Sequence, residues 1–198
     1  MNFLKSWMKM AAIRFRELTP VRTCTKTYAS YRSFKKYLAE DFNSKCGYTD
    51  CRDFWFGGKN TFHIDHFKPF SKNPALETDY SNLVYCCSYV NILKSDDEGH
   101  YLDPCDIDFN VHFERDTDGS IVAKPNSKEA NYMFGKLKLG LARYRIIWKL
   151  DEILNRLEKL RVAIHNPENI KIKNDLRIIH SELAEEFTIY LGYLKTNQ

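Results

Sequence analysis

Residues 63–94, HIDHFKPFSKNPALETDYSNLVYCCSYVNILK, decide how this chain is read. Thr61 to His66 alternates in polarity as a half-buried strand does. Residues 67–81 carry Pro69 and Pro74 among polar residues and read as a loop. Leu83 to Tyr85 reads as a returning strand, and Cys87 to Lys94 as a short helix. The expected local architecture is therefore a hairpin with a long loop, followed by a helix.

The same stretch concentrates reactive side chains. It holds the pair Asp65-His66, Asn82 at the head of an apolar run, and Asn91 three residues before Lys94. A strand sends adjacent side chains to opposite faces, so Asp65 and His66 must do different work. A carboxylate suits a hard cation, and an imidazole that titrates near neutrality suits proton abstraction from water. Asn91, on the first turn of the short helix, can add a side-chain oxygen to a cation held by Asp65. Asn82 is expected to hydrogen-bond across the loop and hold His66 in place. Lys94, one turn beyond Asn91, is expected to reach a phosphate oxygen. One divalent cation and one water, so arranged, are what cleavage of a phosphodiester requires. A lone Asp-His pair is more often a surface ion pair or a satisfied core histidine; the joint arrangement is what favours a site.

The rest of the chain sets bounds. At 198 residues, 43% apolar and 14% aromatic, it is long enough for a buried core and too apolar for disorder. No apolar run approaches a membrane span. The start, MNFLKSWMKMAAIRFREL, lacks an uninterrupted apolar stretch and is read as an amphipathic helix rather than a targeting peptide, with a cytoplasmic location as the expectation. The net charge of +4 is unevenly spread: lysine plus arginine against aspartate plus glutamate is 12 to 5 over residues 1–59, 4 to 12 over 60–120, and 14 to 9 over 121–198. An acidic middle between basic ends suits a cation site flanked by phosphate-attracting surfaces; solvated helix faces account for the charges equally well. Six cysteines, Cys24, Cys46, Cys51, Cys86, Cys87 and Cys105, without an export signal point to metal binding or burial rather than disulfides.

Thr19-Pro20 marks a break, after which residues 27–43 read as a short amphipathic helix carrying Tyr31, Phe34, Leu38 and Phe42. Residues 45–59 are irregular, with a turn at Gly57-Gly58. The rings of Tyr28, Tyr31, Phe34 and Tyr37 read as core, with Arg32, Lys35 and Lys36 facing solvent; a stacking and phosphate-gripping surface is the second reading. Asp103, Asp106 and Asp108 suit turns and caps. Residues 112–115 and 120–123 flank a turn at Asp118-Gly119 and form a second hairpin. From Ser127 the pattern is helical: Ile147, Leu150, Leu154, Leu157, Leu160 and Ile164 form one stripe, and Ile172, Leu176, Ile179, Leu183, Phe187, Tyr190 and Leu194 another. Asn166 and Pro167 supply a cap and a first-turn residue for the second helix. Two regions are expected, 1–126 and 127–198, the latter an antiparallel helical hairpin that packs on the first or docks a partner.

HIDHFKP, YSNLVYC and VNILKSD resemble the HNH nucleases. The resemblance implies an α+β fold: a ββα-metal core, here with an additional β-hairpin and the C-terminal helical hairpin. It implies that Asp65 and Asn91 are metal ligands for Mg²⁺ or Mn²⁺, that His66 is the general base, and that Asn82 is the middle asparagine. His63 matches a histidine of one branch and is placed with Lys94 in substrate binding. More widely, LAEDFNSKCGY and YLDPCDIDFNVHFERDTDGSI look like the HNH effectors of prokaryotic anti-phage systems of the Septu and retron-associated type. That implies a nucleic-acid substrate and a protein partner such as an ATPase or a retron complex; the apolar stripes of the helical hairpin suit such a partner or a second copy, and no membrane is expected. Many members carry two CxxC knuckles around a structural zinc; here Cys46 is followed by Thr49 and Cys87 by Val90, so each knuckle lacks its second thiolate. Cys51 is a substitute, and Cys86 or Cys105 a fourth ligand, but a zinc-free remnant at Cys46, Cys51 and Cys87 is expected. The rivals are a non-catalytic ββα adaptor and a structural zinc module.

Overall fold

The alternation at Phe62–His66 forms strand β2, which runs antiparallel to β3 (Leu83–Cys87) with Asp65 opposite Val84 and His66 opposite Leu83. All five residues of β3 are buried, so this strand lies inside the protein along its whole length. Helix α2 (Ser88–Lys94) follows directly, with Cys87 as its extended N-cap residue. The expected hairpin and short helix are thus present, with β3 running two residues further than the polarity pattern indicated. The computed structural model describes residues 13–196.

A second, three-stranded sheet has the order β1 (Ile13–Arg14), β4 (Phe113–Arg115), β5 (Ile121–Ala123), all antiparallel. The amphipathic helix expected at the N-terminus lies outside the described residues up to Ala12. Beyond it, Ile13–Arg14 is strand rather than helix: Ile13 pairs with Arg115, and Phe15 is buried with its ring 5.4 Å from Phe113 and 5.8 Å from Phe109. Helix α1 (Lys35–Asp41) is shorter than expected because its first turn, Tyr31–Phe34, is a 3-10 turn. His112 ends a short helix α3 (Phe109–His112), capped by Asp108, instead of opening β4. The turn between β4 and β5 uses the left-handed conformation of Gly119, with Asp118 accepting from the Ser120 N–H.

Ser127 caps α4 (Lys128–Lys136) by accepting from the Ala130 N–H at 3.1 Å. The helical pattern then breaks at Leu137–Leu141, and the chain divides there into two compact units, Met1–Leu141 and Ala142–Gln198. The boundary falls after α4, not before it. The second unit is the expected helical hairpin, α5 (Ala142–His165) and α6 (Lys173–Thr196). Asn166 caps a 3-10 turn, Pro167–Ile172, that leads into α6. Among the described residues, no helix is long and apolar enough to cross a membrane.

Candidate active site

Strand geometry separates Asp65 from His66, and each meets a different set of partners. Asp65 is only 3% exposed. Its Oδ2 accepts from the Tyr48 hydroxyl at 2.7 Å, and its Oδ1 accepts from the Lys94 ammonium at 3.1 Å. Burial pushes the carboxyl above the usual aspartate range, and the Lys94 charge and the Tyr48 hydroxyl pull it back. Each oxygen keeps a further lone pair, and Asp65 lines an open cleft of about 270 Å³.

His66 lines the same cleft, with its ring between Tyr31 (4.7 Å between centroids, edge-on) and Phe70 (4.9 Å). Its Nε2 lies 2.9 Å from the Glu77 carbonyl. A carbonyl only accepts, so Nε2 carries a proton, and in the neutral ring Nδ1 keeps its lone pair. Asn82, also buried, acts one step away. It accepts from the Lys68 N–H at 2.8 Å and donates to the Lys68 carbonyl at 2.9 Å, while the Phe67 N–H donates to the Asn82 carbonyl. Asn82 thereby ties down the two residues that follow His66.

Asn91 reaches the cleft from α2. Its amide nitrogen lies 3.2 Å from His63 Nδ1, an arrangement that leaves the amide oxygen for another partner. Asp65, His66 and Asn91 therefore share one cleft, while Asn82 braces it from behind. Among the described residues, no three His, Cys, Asp or Glu side chains converge as a metal-binding group. A carboxylate and a carboxamide oxygen are nonetheless a donor set that fits Mg²⁺, which keeps several waters and binds through one or two carboxylates together with substrate phosphates.

Lys94 corrects the sequence reading. It is fully buried, and besides Asp65 it donates to the His66 carbonyl at 2.8 Å. An ammonium with no solvent exposure cannot meet a substrate phosphate; it balances the Asp65 charge and holds the end of β2. His63, by contrast, is exposed beside Asn91. Tyr48, Phe70 and the Glu77 carbonyl had no assigned role, and Tyr31, read as core, lines the cleft against His66. Tyr48 belongs to the LAEDFNSKCGY segment, but nothing in its surroundings in sequence signals a partner at Asp65.

The cysteines of the two knuckles are buried. Cys46 and Cys87 are buried with their sulfurs 3.9 Å apart, and Thr49 and Val90 are fully buried beside them in sequence. Burial drives the Cys46 thiol up, but hydrogen bonds from Cys87, Thr49 and the nearby backbone outweigh it and lower it to about 6. The Cys51 thiol lies 3.8 Å from the Thr49 carbonyl. Asp103 receives Arg22 at 3.0 Å and the Cys105 N–H at 2.9 Å, and Asp108 caps α3. Comparison with protein-family models and with curated proteins returns no match for this chain.

Proposed function

We propose that this protein is a metal-dependent endonuclease of the HNH kind, hydrolysing phosphodiester bonds in DNA or RNA. The observation that carries this reading is the single cleft shared by Asp65, Asn91 and a His66 ring whose protonated nitrogen is already engaged. Asp65 and Asn91 would hold one Mg²⁺ or Mn²⁺ ion. When bound, that ion stabilises the charge that builds on the phosphate and the leaving oxygen. His66 takes a proton from the attacking water at Nδ1, and the Glu77 carbonyl steadies the imidazolium that results. Lys94 and Tyr48 favour the carboxylate form of Asp65 against its burial. Asn82 fixes the chain beyond His66, so the ring does not swing away from the cleft.

The resemblance to anti-phage effectors extends the proposal to a cytoplasmic defence role with a protein partner, such as an ATPase or a retron complex. Exposed Val162, Ile178, Ile189 and Tyr193 on the helical hairpin support docking through that unit. A non-catalytic adaptor is the rival reading. Incubation of the purified protein with plasmid, single-stranded DNA and tRNA, with Mg²⁺, Mn²⁺ or a chelator, tests the choice. We expect cleavage that the chelator stops and that His66→Ala reduces by about a hundredfold or more. Cleavage indifferent to chelation, or unchanged in Asp65→Ala, overturns the mechanism.

A further inference from the structure

We propose that a second cleft, adjoining the candidate active site, seats the sugar-phosphate of the nucleotide next to the scissile bond, with Arg32 as its phosphate contact. The inference rests on the nuclease reading and adds a strand path to it. The second cleft, of about 350 Å³, is lined by Arg32, Lys35, Phe62 and His63, and it shares Tyr31, Ile64 and Asn91 with the first. The two are therefore neighbouring depressions on either side of one wall.

Their charges are opposite. Among the described residues, the first cleft is lined by Asp65 and Asp96 and by no lysine or arginine. The second is lined by Arg32, Lys35 and His63 and by no carboxylate. A lining that offers carboxylate oxygens suits a cation, even with Lys94 paired to Asp65 behind it, and a cationic lining suits a phosphate that no cation neutralises. A strand crossing the shared wall at Asn91 would place one phosphate in each.

The cations differ in availability. Lys35 donates to the Phe62 carbonyl and lies 3.5 Å from the Asn60 carbonyl, so it supports the end of β2 as well as the cleft. Arg32 is exposed, with its guanidinium 4.9 Å from the centre of the Tyr31 ring. That ring in turn meets His66 edge-on, which links the phosphate contact to the proposed base through one aromatic side chain. Stacking orients the planar guanidinium while leaving its N–H groups to a phosphate.

The test uses the full chain carrying His66→Ala, which is expected to slow cleavage by about a hundredfold or more, and ~20-nucleotide fluorescein-labelled single-stranded DNA and RNA probes. Affinity is measured by anisotropy across a salt series. Arg32→Glu is expected to weaken binding by about tenfold and to flatten the dependence of log affinity on log salt by about one. Arg161→Glu, the same charge change on the exposed face of α5, is the control and should leave affinity near that of the parent. Equal effects of the two substitutions overturn the subsite. In the otherwise unaltered protein with Mg²⁺, Arg32→Glu should raise KM while leaving kcat within about twofold. Cleavage whose KM ignores Arg32 sinks the subsite and leaves the nuclease reading standing. Arg32-dependent binding without any cleavage by the unaltered protein sinks the nuclease reading and keeps the strand path.

Discussion

Lys94 and Asp65 form an ion pair removed from water on both sides, with side chains 0% and 4% exposed. Such a pair gains little over an apolar replacement of both partners, yet breaking it from one side leaves a buried charge without compensation. Lys94→Met should therefore destabilise the protein by about 3–5 kcal/mol in urea unfolding at pH 7. The deficit has a definite pH dependence. The Asp65 carboxyl is already raised by burial, and removal of the ammonium raises it further. The folded variant then takes up a proton more readily than its unfolded chain, so its deficit narrows as pH falls through that raised value. A deficit independent of pH would show that Asp65 is not the group left stranded.

Within the loop between β2 and β3, one side-chain amide holds the start of the loop. Asn82 satisfies both the N–H and the carbonyl of Lys68, groups that would otherwise stand unpaired beside a buried strand end. Asn82→Ala should cost about 1–3 kcal/mol of stability and lower kcat more than it raises KM, because His66 loses its brace and not its substrate. Asn82→Asp keeps the acceptor for the Lys68 N–H and loses the donor, so it should fall between the two. Stopped assays of cleavage and thermal melts on the same samples check both parts. The sheet-to-knuckle approach is equally tight. A Cβ at Gly47 would lie 2.8 Å from both Phe42 Cε1 and Val84 Cγ1, while the Gly47 N–H donates to the Tyr85 carbonyl.

Across the first unit, a buried arginine joins segments that are distant in sequence. Arg115, fully buried on β4, donates to the carbonyls of Phe15 (3.2 Å), Thr49 (2.8 Å) and Gly119 (2.9 Å). It thereby connects the residue after β1, the cysteine knuckle and the β4–β5 turn. Arg115→Met should cost at least about 3 kcal/mol by stranding those carbonyls, read as a fall in melting temperature of the whole chain. A melt unchanged in Arg115→Met would mean that water replaces the guanidinium there. The second unit has a different character. Over α6 only Leu194 is buried, while Ile178 and Ile189 are 58% and 54% exposed. Its two helices pair with each other.

What the chain states locally was legible from the residues. Alternation at Phe62–His66, the apolar run at Leu83, the Ser127 and Asn166 caps and the Asp118-Gly119 turn all act through neighbours a few residues away, and periodicity or side-chain type announces them. The grouping of Asp65, His66 and Asn91 also follows from a hairpin and the helix next to it, because β2 and β3 pair along their whole length and α2 starts at the residue after β3. Tertiary contact alone decided the rest. Ile13–Arg14 became a strand because β4 offered it an edge, and no local signal outweighs such a partner. Lys94 looked like a phosphate contact because a lysine is a mobile cation until its surroundings are known. Only the packing of α2 against β2 turned it inward, where the charge of Asp65 made burial tolerable.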